Sequence, residues 1–437
     1  MGGLVGRGSD IEEKVKSAKG LTGVCDLPGS VEISLMALAS GSASKGVSTI
    51  QRCSAAPVIL EFEAVLNEIG IHSSRTGETV EVTGGALEEP KHSLSAGSHP
   101  IYFSCLAGLL AGAPFQTELI SGYSENLARG TIKALQSLGA AFSLPVEGTF
   151  PLKLGGGKLT TGRHVIQSPD SGIKSALFLA GLGVEGVVEL VQDTSGEDDL
   201  EVLFRRSKCR IEKGRVEDGE GHQLSISGPL ELKAAEHELP GEAGAAIVLL
   251  LTAAVLGRSD LTVKHVGVDL KSRRMMDLLR RMNVKFELKR TQTESKFHTR
   301  QIQVKGSELR SVKISNEYSR LFLNELPLLA VIGASSPGET IIRDAALLRE
   351  GPVDCISVLV ENLREMGIQV GEMPDGLVIK GGRLQGTTVD AKGDARIGLA
   401  MISGGFAADG ETTVVNPGPV REHYPGVLER LGSLERV

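Results

Sequence analysis

The sequence predicts an α/β protein of two domains, built from six repeated β-α-β-α-β-β units, three per domain, with buried Ala/Gly-rich helices. Three observations predict it. An apolar stretch of Ala, Gly and Leu recurs six times, a β-like run follows each copy, and an amphipathic helix follows that run. The apolar stretches, marked by Met36, Cys105, Leu177, Leu249, Leu328 and Met401, are spaced by roughly seventy residues. Solenoid repeats are shorter, about twenty to fifty residues, so helices enclosed by sheets are expected instead. At 437 residues the chain also exceeds the size of one hydrophobic core.

The first helices read "LMALASGSA", "CLAGLLAGA", "LFLAGLGVE", "LLLTAAVLG", "LPLLAVIGA" and "LAMISGGFA". They are apolar nearly all round, which is the pattern of a helix without a solvent face. The runs after them, such as "GVSTIQR", "GVVELVQ" and "ETTVVNP", carry the β-branched residues that suit strands. The second helices, such as "VILEFEAVLNEIG", "RRMMDLLRRMN" and "VDCISVLVENLREMG", alternate apolar and polar faces and are less completely buried. Four of the six close on Gly and one on Asn283, residues that end a helix in left-handed conformation. Short strands such as "VKFEL" complete each unit. The domains are expected to be residues 1–26 plus 241–437, and 27–240, hinged near Pro28-Gly29 and Pro240-Gly241.

Composition narrows the function. Hydrophobic residues make up 41% and charged residues 23%, ordinary for a globular protein. The five cysteines (Cys25, Cys53, Cys105, Cys209, Cys355) are odd in number, scattered and without a C-x-x-C pair. They read as reduced, mostly buried thiols in a cytoplasmic protein, not as a disulfide framework or zinc knuckle. No run approaches a membrane span, and the first twenty residues lack the apolar core of a signal peptide. Gly6 stands where N-myristoylation needs Ser or Thr. The net charge of −7 argues against nucleic-acid binding. One basic stretch, Lys271 to Arg300, reads as a solvated helix face and hairpin. His and acid pairs at metal-ligand spacing are missing, so no metal is expected.

Six stretches in chain order carry a resemblance. "PGSVEISLMAL" is similar to the pattern P-G-S-K-S-x-S-N-R-A-L, and "DSGIKSALFLA" to S-S-Q-x-x-S-A-L. "NELPLLAV" is similar to D-E-L-P-x-L-A-V, and "RDAALLREGPVDCI" to R-D-A-x-x-L-R-x-K-E-x-D-R-I. "DGLVIKGG" and "GDARIGLAM" are similar to D-G-L-x-I-x-G and G-D-H-R-x-A-M. Together they resemble the enolpyruvyl transferase family, nearest its EPSP synthase branch (3-phosphoshikimate 1-carboxyvinyltransferases), from about Leu27 to Leu431. The resemblance implies that fold, and the transfer of a carboxyvinyl group from phosphoenolpyruvate to a hydroxyl of shikimate 3-phosphate with release of phosphate.

Both substrates are polyanions, so such a site calls for Lys and Arg, with an acid and a base to move protons. Carried over residue by residue, the resemblance gives a depleted set. The Lys and Arg of the Pro-Gly-Ser loop fall on Val31 and Met36, a second Arg on Ser104, and the Gln of Ser-Ser-Gln on Gly172. The expected Asp base falls on Asn324, the Lys-Glu pair on Gly351-Pro352, the next Arg on Cys355, and a C-terminal Lys on Glu422, beside Arg421. What remains is Ser30, Ser171, Lys174, Asp354 and Arg396 as substrate ligands, with Glu325 and the Asn324 position as the catalytic pair. Arg396 matches a phosphoenolpyruvate-binding Arg.

A hydrogen bond to a charged group contributes about 1.5–3 kcal/mol, so five missing ones amount nominally to about 7–15 kcal/mol. Two readings follow. One is a diverged transferase for small anionic substrates, phosphoenolpyruvate and a phosphorylated alcohol, with His99, Arg129, Arg163, Arg349, Arg421 or His423 refilling the site. The other is a catalytically inactive homologue that binds a ligand or partner. A third, nucleic-acid work, has only the basic stretch in its favour and would require steep salt dependence.

Overall fold

The computed structural model describes residues 12–120, 125–146, 149–166, 170–192, 199–216, 221–268, 270–290, 297 and 299–436. The chain divides into two compact units. One runs from Gly29 to Pro240; the other holds the chain up to Pro28 and from Gly241 onward, apart from residues 294–297.

In the Gly29–Pro240 unit, three helices lie at the centre: Val31–Ser42, Pro100–Leu110 and Ser171–Gly181. They touch one another, and nearly every residue in them is buried. Small residues permit this close approach. A Cβ added at Gly172 would meet the Ser104 Oγ at 2.9 Å. Three mixed sheets cover these helices. Gly186–Gln192 pairs parallel with Gly162–Val165 and antiparallel with His222–Gly228, which pairs with Glu212–Arg215. Gln116–Ile120 stands in the same way between Leu94–Ser95 and Leu152–Gly155. Ser44–Gln51 pairs parallel with Leu232–Lys233 and Glu236–Glu238, and antiparallel with Thr79–Gly84. His237, on the Glu236–Glu238 strand, is 0% exposed, and neither ring nitrogen has a hydrogen-bond partner among the described residues. Burial first, and the Arg206 charge second, push its pKa down to about 4.

The second unit repeats this logic with Ala243–Val255, Leu326–Ala334 and Ala395–Ala407 as mutually touching buried helices. Its three sheets are centred on Asp260–Gly267, Glu339–Ile342 and Glu411–Val415. Most outer helices end as their sequences foretell: Gly70, Gly139, Gly367 and Asn283 all sit at positive φ, whereas Gly432 lies inside the Val427–Ser433 helix. Lys208 does the same after the Asp199–Arg206 helix. All five cysteines are free and buried. Among the described residues, no helix is long and apolar enough to cross a membrane.

Candidate functional site

The three buried helices of the second unit each begin at an acidic residue: Glu242, Glu325 and Asp394. A helix N-terminus carries unpaired N–H groups and partial positive charge, so carboxylates suit it. Asp394 caps fully, accepting from the backbone N–H of Arg396 at 2.9 Å and of Ile397 at 3.3 Å. The Arg396 guanidinium folds back on the same carboxylate, with Nη2 2.6 Å from Oδ2 and Nε 3.1 Å from Oδ1. The Cys355 thiol closes the cluster. It accepts from Arg396 Nη2 at 2.8 Å and donates to Asp394 Oδ2 at 3.2 Å.

The electrostatics follow from this geometry. Burial works against the Asp394 carboxylate, but Arg396 and the Cys355 S–H outweigh it and hold the carboxyl below its usual range. The hydrogen bonds to Asp394 raise the Arg396 pKa. Burial pushes the Cys355 thiol up to about 12, so it is a neutral donor and not a thiolate.

Glu325 lies beside this cluster. It is 3% exposed and makes no side-chain cap. Its Oε1 accepts from Lys271 Nζ at 2.7 Å, while its buried Oε2 has no hydrogen-bond partner among the described residues. Tyr424 adjoins both groups. Its hydroxyl donates to the Asn324 carbonyl at 3.3 Å, and burial, then the Glu325 charge, raise its pKa. Asn324 itself is exposed on the turn before the helix. The unit therefore gathers Arg396, Glu325, Asp394, Cys355, Tyr424 and Lys271 around adjacent helix starts.

Several expected ligands turn out to hold the fold. Asp354 is the N-cap of the Cys355–Glu365 helix, accepting from Ile356 and Ser357 N–H, both at 3.1 Å. Burial opposes its charge, but the Ser357 N–H and Arg349 hold its pKa below the usual value. Arg349 is occupied as well, 2.6 Å from Asp354 and 2.8 Å from Glu372. Arg421 pairs with Glu13 at 2.8 Å and Glu429 at 3.3 Å on the surface, and His423 bonds the Pro419 carbonyl. The Glu422 side chain lies outside the described residues.

The Gly29–Pro240 unit carries less charge than the resemblance implies. Ser30 is an N-cap, its hydroxyl accepting from Ile33 N–H at 3.5 Å. Gly29 keeps its place because a Cβ there would lie 1.7 Å from the Arg52 carbonyl oxygen. Val31 packs against the apolar core and Met36 lies within it. Ser104 bonds Thr131 at 2.8 Å. Ser171 opens its helix, whose cap is Asp170. Lys174 was expected to hold substrate; instead it is 1% exposed and ion-paired with Glu201. Lys213 reaches the other oxygen of Glu201 at 2.5 Å. Its charge is thus balanced within the fold by Glu201. His99 caps the Pro100–Leu110 helix by accepting from Ile101 N–H at 3.2 Å, and burial pushes its pKa down to about 4. Arg129 and Arg163 are exposed.

Sequence reasoning missed Asp394, Tyr424 and Lys271. Asp394 was visible inside "GDARIGLAM" beside Arg396, and a carboxylate before a helix signals a cap. Lys271 opens the basic stretch. Beyond it, Arg274, Arg280 and Arg281 are satisfied at their own surface by Glu317, Asp277 and the Lys313 carbonyl. Residues 291–296 and His298 of that stretch lie outside the described residues. No group of three or more metal-ligating side chains occurs among the described residues.

Comparison with known proteins places these observations. The family model for EPSP synthase (3-phosphoshikimate 1-carboxyvinyltransferase) matches residues 15–431. A 3-phosphoshikimate 1-carboxyvinyltransferase of Bacillus cytotoxicus is 26% identical over 429 residues, covering 96% of this chain and 99% of the relative. That of Brevibacillus brevis is 28% identical over 432 residues, covering 97% of this chain and 100% of the relative. The structure of EPSP synthase from Acinetobacter baumannii matches with a TM-score of 0.86 at 21% identity, over 97% of this chain and 98% of that one. The enolpyruvyl transferase NikO from Streptomyces tendae matches with a TM-score of 0.76 at 18% identity, over 99% of this chain and 98% of that one. At these identities the structural matches establish the fold.

Proposed function

The chain belongs to the EPSP synthase family, and from that premise we propose that it transfers the carboxyvinyl group of phosphoenolpyruvate to a phosphorylated alcohol. In this reading the acceptor hydroxyl gives up its proton to a base and its oxygen bonds to C2 of phosphoenolpyruvate, while C3 gains a proton from an acid. Phosphate then leaves as C3 returns a proton. Arg396 binds an anionic group of phosphoenolpyruvate, and Glu325 serves as the acid–base group beside it. The observation that carries the reading is the Arg396–Asp394 pair at a helix start, with Glu325 at the start of the neighbouring helix. The six sheets support reading the chain as six copies of one unit, and the division at Pro28/Gly29 and Pro240/Gly241 supports a hinge there.

A second reading, an inactive homologue that binds a ligand or partner, is favoured by the positions given up. Val31, Met36, Ser104 and Gly172 are absorbed into packing, and Cys355 is bonded to Asp394. The deciding experiment is phosphate release from phosphoenolpyruvate plus shikimate 3-phosphate at high protein concentration. Wild type is compared with Asn324→Asp and Arg396→Ala. Turnover that Arg396→Ala abolishes supports the transferase. Silence of all three proteins, with no binding of either substrate, supports the inactive homologue.

A further inference from the structure

The basic stretch contains one lysine that behaves unlike its neighbours. The Leu270–Arg281 helix turns Arg274 and Arg280 to surface partners, Glu317 and Asp277. Lys271 points the other way, and its ammonium sits 2.7 Å from the buried carboxylate of Glu325. Its side chain is still 27% exposed, whereas that of Glu325 is 3% exposed. The Lys271 side chain thus stays partly in solvent while its ammonium pairs with an enclosed acid.

We propose that Lys271 is a substrate-binding residue that supplies a positive charge for the carboxylate or phosphate of phosphoenolpyruvate, with Glu325 as the group that positions it. The inference rests on the transferase reading above. Three observations support it. Glu325 connects Lys271 to the Arg396 cluster, because the helices that Glu325 and Asp394 begin touch one another and the Tyr424 hydroxyl bonds the Asn324 carbonyl beside Glu325. The second oxygen of Glu325 is buried without a hydrogen-bond partner among the described residues, which leaves that carboxylate an unused acceptor beside Lys271. The residues at 351, 352 and 355, where the resemblance implies Lys, Glu and Arg, are Gly, Pro and Cys. Lysine is a compact point charge on a flexible stem and needs no bidentate geometry to hold an anion.

The test is isothermal titration of the full chain with phosphoenolpyruvate, and with inorganic phosphate as a second probe. Wild type is compared with Lys271→Met, Lys271→Arg and the double variant Lys271→Met/Glu325→Gln. Lys271→Met is expected to weaken phosphoenolpyruvate binding by about tenfold to a hundredfold, and Lys271→Arg to recover much of that loss. The double variant keeps the inference falsifiable where Lys271→Met alone leaves Glu325 without a counter-charge and does not fold. If Lys271 only balances Glu325, removing both charges restores wild-type binding and the inference falls. If Lys271 holds substrate, the double variant folds but still binds weakly. Wild-type affinity in Lys271→Met likewise overturns the inference and leaves the transferase reading standing. Absence of binding by wild type removes both.

Discussion

Acidification tests the packing of the Gly29–Pro240 unit through one side chain. His237 is fully buried, with Arg206 on one side and Glu236 and Glu238 flanking it in the chain; both of these carboxylates also act on Arg206. Its pKa is about 4 in the folded protein, against an ordinary 6.5. Above pH 6.5 the ring is neutral in both states and nothing is lost. Between 6.5 and 4 the unfolded chain binds a proton that the folded chain refuses, so stability falls as pH falls. Below 4 the loss is complete. At about 1.36 kcal/mol per pH unit the total is roughly 3 kcal/mol. The assay is urea unfolding followed by circular dichroism at pH 7, 5.5 and 4, on wild type and His237→Leu. Other titrating groups, His99 among them, contribute to both proteins, so the difference between the two curves isolates His237. His237→Leu should lose about 3 kcal/mol less than wild type on going from pH 7 to 4. Parallel curves would refute the reasoning and mean that the ring is reached by water or by an acceptor.

Other expectations follow from the helix starts. Gly172→Gln, which restores the residue the family resemblance implies, forces a Cβ to within 2.9 Å of the Ser104 Oγ. It should lower stability by about 1–3 kcal/mol, read as a fall in urea midpoint; an unchanged midpoint would show that the two helices spread freely. Asp354→Ala removes a cap that accepts two N–H groups and should cost about 1–2 kcal/mol. Asp354→Asn should recover most of that loss, since an amide oxygen also caps. Equal losses from the two variants would assign the effect to the Arg349 ion pair instead.

The architecture was legible because apolar periodicity and helix stops are local signals. "LLLTAAVLG" has no polar face to turn toward water, and Asn283 takes the left-handed conformation its position suggested. The site was less legible because one residue type serves two purposes. A carboxylate at a helix start can be a ligand or a cap, and Asp354 is a cap. A lysine in a substrate motif can face solvent or a buried acid. Lys174 faces Glu201, twenty-seven positions along the chain on another helix, and no periodicity joins the two. Lys271 was concealed differently, as the first of a run of cations whose later members lie at the surface. Arg396 stands out in the sequence as a cation within a motif, but its hold on Cys355 depends on a helix distant in sequence.

The ion cluster of Lys174, Glu201 and Lys213 bears on how this chain can change. Replacing Glu201 alone strands the buried Lys174 in the interior, at about 3–5 kcal/mol, a large share of what keeps a domain folded. Loss of Glu201 first is therefore closed, whereas Glu201 keeps Lys213 as a counter-charge when Lys174 is replaced. A buried acid held by two lysines can thus lose either of them more cheaply than it can itself be lost. Where neighbouring positions have turned to Val31, Ser104 and Gly172, Lys174 keeps its charge against Glu201.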